Sequence, residues 1–268
     1  MKVAGVTITV IFCIMLSAVT AMATPSNIIW IPSTDVQPFM VGHLDFDNYV
    51  RGASNSENGR DPNIIDVGFR LGVLPYEKAQ LEVGFDLLLM GQDPNDQHPW
   101  SGNIKLATPE QSICDWSPAL AVGLYNARAT ADIEPKDAPR VYSGQNIVYG
   151  LISKKLSALG SLPDLGRFSA GYYVGARRAL VNSNNPLTAK KENSGLLLSW
   201  DRTIKEISDK LWFAVDYMGG DNVDGSVNIG FAWRFNKYVA LTIGYDIWNR
   251  KSVAGENTFT GQVNLDFP

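Results

Sequence analysis

The stretch Ile65-Asp66-Val67-Gly68-Phe69-Arg70-Leu71-Gly72-Val73 has a large apolar side chain at every odd position and Asp, Gly or Arg at every even one. Successive side chains of a β-strand point to opposite faces. The segment therefore predicts a strand with one apolar face and one polar, glycine-rich face. The same alternation governs Val227–Phe235, Val239–Trp248 and Phe259–Phe267.

Alternation of this kind recurs along the whole chain after residue 40 and predicts about twelve strands. They are expected at Met40–Val50, Ile64–Leu74, Ala79–Met90, Gly102–Ala107, Pro118–Tyr125, Gln145–Ser153, Arg167–Arg177, Gly195–Asp201, Lys210–Met218, Ser226–Phe235, Tyr238–Trp248 and Asn257–Phe267. Short connections after even strands mostly alternate with longer polar ones after odd strands, which is typical of transmembrane barrels. We predict an all-β, single-domain, transmembrane antiparallel β-barrel over residues 40–268. A soluble β-sandwich is the alternative, and a second sheet would then cover the apolar faces.

The residues before the barrel divide into two parts. Residues 1–23 hold Lys2, the apolar run Val6–Val19 and the small-x-small motif Ala21-Met22-Ala23, a pattern that predicts a cleaved secretory signal peptide. An uncleaved membrane anchor is the alternative, because the run is just long enough to span a bilayer. Residues 24–39 carry three prolines and are not expected to form a central strand. This lead-in, which includes the distinctive run 29–35, lies either in the periplasm or in the lumen.

Charge and cysteine content narrow the function further. The net charge is −4 for the whole chain, and removal of Lys2 with the signal leaves −5, which argues against a nucleic-acid partner. Without the signal the chain keeps only Cys114, so no internal disulfide is expected. The acidic run Asp221–Gly225 lacks the ligand spacing of a calcium loop. No cofactor or metal is therefore predicted.

The C-terminal run Phe259-Thr260-Gly261-Gln262-Val263-Asn264-Leu265-Asp266-Phe267 alternates up to an aromatic residue, with Pro268 after it. Together with the signal peptide and the two-faced strands, it resembles the bacterial outer-membrane β-barrel proteins, of the porin-like class. The resemblance covers roughly residues 40–267 and is architectural. It implies a place in the bacterial outer membrane, contact with outer-membrane lipid and recognition by the barrel-assembly machinery. The oligomeric state is left open.

If the apolar faces contact lipid, the opposite faces line the lumen. The predicted pore-lining residues are Asp45, Asp47, Asp66, Arg70, Glu82, Asp86, Arg177, Asp216, Arg234 and Asp246. Seven acids against three bases predict a hydrated, weakly cation-preferring pore. Inward glycines such as Gly68 and Gly72 favour open space. A salt-bridge network that fills a narrow barrel is the alternative.

Aromatic residues near strand ends predict girdles at the two membrane boundaries. Tyr49 and Trp248 belong to the outer girdle in this interpretation.

The function that these patterns favour is passive diffusion of small hydrophilic solutes through an outer-membrane channel. A closed structural or binding barrel that acts through its external loops is the alternative. An outer-membrane hydrolase is less favoured, because His43 and His98 are the only histidines and no serine has a recognisable nucleophile context. The chain is therefore predicted not to be an enzyme.

Overall fold

A computed structural model describes residues 26–53, 61–90, 99–128, 143–157, 164–183, 190 and 192–267. The predicted signal peptide and His98 lie outside the described residues. The described chain forms β1 (Gly42–Arg51), β2 (Ile64–Gly72), β3 (Gln80–Leu89), β4 (Trp100–Thr108), β5 (Ala119–Ala127), β6 (Ile147–Leu156), β7 (Gly166–Val174), β8 (Ser194–Thr203), β9 (Leu211–Met218), β10 (Ser226–Arg234), β11 (Val239–Trp248), the short helix α1 (Lys251–Ala254) and β12 (Thr258–Phe267). Among these residues, no helix is long and apolar enough to cross a membrane.

The twelve strands close into one antiparallel barrel in which each strand pairs with its neighbours in sequence and β1 pairs with β12. At the closure, Asp45 lies opposite Asn264 on one side and opposite Gly68 of β2 on the other. The twelve-stranded antiparallel barrel predicted from alternation is confirmed. A shift in register between Gly102 and Ile104 interrupts the ladder of β4 and β5.

The strand boundaries differ from the predicted ones by a few residues, most clearly at β7. This strand was expected to reach Arg177 but ends at Val174. Beyond it the chain turns, and Leu180 is fully buried in the space that a side chain at Gly175 would need. Arg177 is therefore an exposed loop residue, and the expectation that it lines the lumen from a strand is wrong.

The outer face of the barrel is an apolar surface. Large exposed side chains from its strands include Phe46, Phe85, Val122, Tyr172, Leu196, Phe231, Ile243 and Phe259. Phe213 and Phe231 pack across neighbouring strands with ring centroids 4.8 Å apart. Exposing such a belt to water would cost roughly 25 cal/mol per Å². A bilayer core removes that cost, so the belt identifies the outer face as the lipid-facing surface.

The two ends of the barrel differ in their connections. At one end, called here the turn end, the links are residues 73–79, 109–118, 157–165, 204–210 and 235–238. At the other, called the loop end, the links are residues 52–63, 90–99, 128–146, 175–193, 219–225 and 249–257. The connections that follow even strands therefore lie at the turn end, and those that follow odd strands lie at the loop end.

A charge placed on the lipid-facing belt tests this assignment. Phe231→Arg should lower the free energy of unfolding in phospholipid vesicles by about 2–4 kcal/mol, because a guanidinium near the bilayer midplane loses its hydration. Ile207→Arg is the control, since Ile207 is exposed in the turn 204–210. It should change the free energy by less than about 1 kcal/mol. Urea titrations followed by heat-dependent gel mobility measure both. Equal losses would show that Phe231 does not face lipid.

Candidate functional site in the barrel lumen

The described part of the lead-in lies inside the barrel. We call residues 26–38 the lumen segment. Ile28, Ile29 and Ile31 are at most 2% exposed. The segment folds back on itself, because the Ile28 amide donates to the Ile31 carbonyl at 2.8 Å and the Ser33 amide to the Ser26 carbonyl at 2.9 Å. Of the two placements open to the lead-in, the structure shows the lumen.

Asp216 of β9 is the central anchor of the lumen segment. Its Oδ2 accepts hydrogen bonds from the backbone amides of Ile29 at 2.7 Å, Trp30 at 2.9 Å and Ile31 at 3.4 Å. Its Oδ1 accepts from the Asn228 side chain at 2.6 Å. Hydrogen bonds to a carboxylate are stronger than those between neutral groups. One inward acid therefore satisfies three successive backbone donors of an irregular segment.

A buried ion pair anchors both ends of the segment. Glu82 Oε2 accepts from the Ser26 hydroxyl at 2.8 Å and from the Gln37 amide at 2.9 Å. Lys105 Nζ lies 3.6 Å from Glu82 and donates to the carbonyls of Ser26 at 2.9 Å and Asp35 at 2.6 Å. Glu82 and Lys105 therefore act together as structural ligands of the segment.

Trp30 lies between two aromatic side chains that point into the lumen. Its ring makes edge contacts with Tyr49 at 5.0 Å and Trp248 at 5.1 Å, and its Nε1 donates to the Asp224 carbonyl at 3.1 Å. The expectation that Tyr49 and Trp248 belong to an outer lipid-facing girdle is therefore wrong. Gln262 holds the neighbouring turn, because its Nε2 donates to the Ile29 carbonyl at 2.6 Å.

Four acids surround one arginine on β1, β2 and β3. We call Asp45, Asp47, Asp66 and Asp86 the acid cluster. Arg70 donates to Asp45 and, at 3.2 Å, to Asp86. Asp47 and Asp66 are cross-strand neighbours. Within the described part of the chain, one carboxylate oxygen of Asp45, Asp47 and Asp66 each is buried without a hydrogen-bond partner. One guanidinium therefore faces four buried or half-buried carboxyl groups in this region.

The acid cluster also has the spacing that a cation requires. Asp45, Asp66 and Asp86 each bring one carboxylate oxygen to within 4.8 Å of the others. Gly68 lies against this group, since a Cβ there would lie 2.5 Å from Asp86 Oδ1 and 2.7 Å from Arg70 Nη1. The inward glycine therefore makes room for the ion pairs of Arg70 and does not mark open lumen.

The path of the lumen segment out of the barrel requires a second glycine. Met40 donates its amide to the Gly72 carbonyl at 2.8 Å, and a Cβ on Gly72 would lie 2.2 Å or less from the carbonyl oxygens of Gln37 and Pro38. Any side chain at this position would collide with backbone. Gly72 therefore permits the close approach of the segment to β2.

Two of the cavities formed by the described residues lie on different sides of the lumen segment. The smaller, of about 60 Å³, is lined by Asn27, Trp30 and Pro32 of the segment and by Asp66 and Asp86 of the acid cluster. The larger, of about 350 Å³, is lined by Asp35 of the segment and lies toward the turn end, and we call it the vestibule. The two share no lining residue, so the segment divides the lumen.

The predicted pore-lining residues have different surroundings in the structure. The structure puts nine of them on strands with inward side chains: Asp45, Asp47, Asp66, Arg70, Glu82, Asp86, Asp216, Arg234 and Asp246. Glu82 and Asp216 hold the lumen segment, while Arg234 lines the vestibule. Asp246 accepts from Thr258 at 2.6 Å and from Thr260.

Sequence reasoning missed several residues that act here, among them Lys105, Gln262 and Trp30. Lys105 lies on β4, where the alternation of apolar and polar residues is weak. The available signal was that Asn103 and Lys105 are two residues apart, which places their side chains on the same face of the strand. Trp30 and its neighbours carried no periodic signal at all.

The closed strand order, the lipid-facing belt and the charged lumen together define a transmembrane β-barrel with an internal segment. No family model matches the chain, and no curated protein matches it.

Among solved structures, an outer-membrane channel from Pseudomonas putida F1 is 11% identical with a TM-score of 0.49, over 88% of this chain and 98% of that one. The KdgM porin is 7% identical with a TM-score of 0.46, over 84% and 98%. The Salmonella typhi OmpF complex with daunomycin is 10% identical with a TM-score of 0.41, over 87% and 98%. These similarities concern overall fold.

Removing the Asp216 carboxylate should release the centre of the lumen segment. Because each hydrogen bond to a charged acceptor contributes about 1.5–3 kcal/mol, Asp216→Ala should speed amide hydrogen exchange at Ile29–Ile31 by roughly tenfold or more. Asp246→Ala is the matched control, since that buried acid contacts Thr258 and Thr260 instead. Mass-spectrometric exchange on the folded protein measures both. The anchor role fails if the two variants exchange alike at these amides.

Asp224 lies in the loop 219–225, and its titration should make the stability of the protein depend on pH. Burial raises the pKa of Asp224 to about 7, although the Gln145 side chain donates to it at 2.8 Å. The folded-state pKa lies above the unfolded value of about 3.9. The contribution of this carboxyl group to the free energy of unfolding is therefore fully present below about pH 4, and it is lost as the pH rises through about 7.

The melting temperature of the wild type should accordingly fall between about pH 4 and about pH 7, and Asp224→Asn should flatten that fall. The full linkage contribution is at most about 4 kcal/mol. Asp221→Asn is the control, because Asp221 is exposed in the same loop and pairs with Arg250 at 3.3 Å. Circular dichroism melts in detergent report the difference. An unchanged slope in Asp224→Asn would contradict the assignment.

Proposed function

We propose that this chain is a bacterial outer-membrane channel for the passive diffusion of small hydrophilic solutes, with the lumen segment as its constriction. The observation that carries the proposal is a charged, cavity-containing lumen inside a closed barrel whose outer face is apolar. A polar interior enclosed by a lipid-facing wall is the physical requirement for moving hydrophilic solutes across a bilayer. The segment then sets which solutes pass.

The acid cluster supports a weak cation preference at the constriction. Asp66 and Asp86 of the cluster line the smaller cavity, as does Arg70, which pairs with Asp86. In a narrow passage of low local dielectric, excess negative charge lowers the energy of a passing cation and raises that of an anion. The preference is weak because Lys105 also lines this cavity.

The surroundings of the barrel follow from the same proposal. The belt would contact outer-membrane lipid, the turn end would face the periplasm, and Phe267 at the end of β12 would present the aromatic residue that the barrel-assembly machinery recognises. We propose no catalytic role. His43 is 1% exposed and its Nδ1 lies 2.6 Å from Asp266 Oδ1.

A closed barrel that acts through its external loops is the second candidate. The lumen segment favours it, because residues 26–38 fill the interior and are held by Asp216, Glu82 and Lys105. The two candidates differ in conductance.

Planar-bilayer recording of the folded chain under a salt gradient separates them. The channel predicts small discrete current steps with a reversal potential on the cation side. Asp66→Asn combined with Asp86→Asn should shift that potential toward zero, because two carboxylates of the passage lose their charge. Asp209→Asn is the control, since Asp209 is an exposed acid of the turn 204–210. A folded, heat-modifiable barrel without current steps would instead establish the closed barrel.

A further inference from the structure

The vestibule differs in charge from the rest of the lumen. Six basic residues line it: Lys155, Arg167, Arg202, Lys205, Lys210 and Arg234. Three acidic residues line it: Asp35, Asp164 and Asp201. These side chains come from the turn-end halves of the strands and from the turns that join them. The cavity at this end is therefore basic, while the acid cluster beyond the lumen segment is acidic.

The acids of the vestibule are mostly engaged. Arg167 bonds Asp35 at 2.6 Å and Asp201 at 2.9 Å, and so joins the lumen segment to β8. The remaining acid, Asp164, accepts the backbone amide of Gly166 at 3.0 Å. Arg202 pairs with Glu206 within the turn 204–210. These contacts leave no acidic residue of the vestibule to pair with the other basic side chains.

Four of the basic side chains have no partner among the described residues. Lys155, Lys205, Lys210 and Arg234 make no side-chain hydrogen bond and no ion pair there. The Nε–H of Arg234 is moreover buried without an acceptor. Leaving a buried donor on a charged group unsatisfied is costly. An acceptor supplied by a ligand would remove that cost.

The chemistry of these groups selects the ligand. A guanidinium presents paired N–H donors that match a carboxylate or phosphate, and lysine ammonium groups add positive charge without a fixed geometry. A volume of about 350 Å³ lies within the range of small-molecule sites. The small residues Ala232, Ala240 and Thr242 also line the cavity.

We propose that the vestibule is a binding site for a small anionic solute that carries a carboxylate or phosphate group, with Arg234 as its principal recognition residue. The proposal rests on the proposed function, and it adds an anion-binding site at the turn end of a channel whose constriction weakly prefers cations. The solute enters from the turn end, and the lumen segment separates it from the acid cluster. Anions are thus concentrated on one side of the constriction and repelled on the other.

A lipid headgroup offers the same phosphate oxygens, so the source has to be distinguished. We commit to a free solute because Arg234, Thr242 and Asn264 line the cavity from the inner face of the barrel wall, whereas lipid contacts the outer face. Headgroups would reach Lys205 and Lys210, which are exposed in the turn 204–210, before they reached Arg234.

The test is titration calorimetry on the folded full chain in uncharged detergent, with succinate and inorganic phosphate as separate probes. Saturable binding of at least one probe is expected. Arg234→Gln should weaken it about tenfold or more, since a charge-assisted hydrogen bond is lost. Lys237→Gln is the matched control, because Lys237 is a cation of the neighbouring turn that lies over the Tyr238 ring and outside the cavity. It should change the affinity less than about twofold.

Lys210→Gln is the second variant, for the case that Arg234→Gln does not fold, and it should weaken binding in the same direction. Absence of saturable binding to either probe overturns the proposal. Equal losses in Arg234→Gln and Lys237→Gln overturn it too, since only net charge would then matter. Binding only of short-chain anionic phospholipid overturns it in favour of headgroups. Binding without current steps in the bilayer recording would leave this site standing and defeat the channel.

Discussion

The constraint on which this structure depends is that a strand in hydrocarbon must have every backbone donor and acceptor paired within the protein. An open sheet of twelve strands would leave two edges unpaired in lipid. The ladder between β1 and β12, from Gly42 opposite Phe267 to Arg51 opposite Thr258, removes both edges. Closure also puts most polar side chains of the alternating strands inside the barrel. The lumen and all that happens in it follow from that closure.

Enclosure changes what the inward charges do. In open water, Asp216 or Glu82 would be hydrated, but inside the barrel each accepts backbone amides of the lumen segment. The segment lacks regular structure, and its own donors need acceptors because it is buried. The acids of the wall and the amides of the segment thus satisfy each other. This mutual requirement explains why an irregular, proline-containing stretch lies stably in the interior.

Division of the lumen by the segment also separates charge. The acid cluster lies on β1, β2 and β3, whereas the basic side chains of the vestibule, such as Arg167 and Arg234, come from β7 and β10. A solute that crosses the barrel would therefore meet basic and acidic surroundings in turn. Selectivity in such a passage is set by the narrowest part together with the sign of charge on each side of it.

Local alternation was sufficient to locate all twelve strands and to assign their faces, because the side-chain period of a strand depends on neighbouring residues alone. Nine of the ten predicted lumen residues have inward side chains for that reason. The prediction is wrong for Arg177, because the chain turns at Gly175.

The sequence by itself therefore determined the fold class, the strands and which residues face inward. Only the tertiary structure decided what those residues contact, that the lead-in enters the lumen, and that Gly68 and Gly72 accommodate neighbours. Such contacts join residues as distant as Ile29 and Asp216, and no local pattern encodes them.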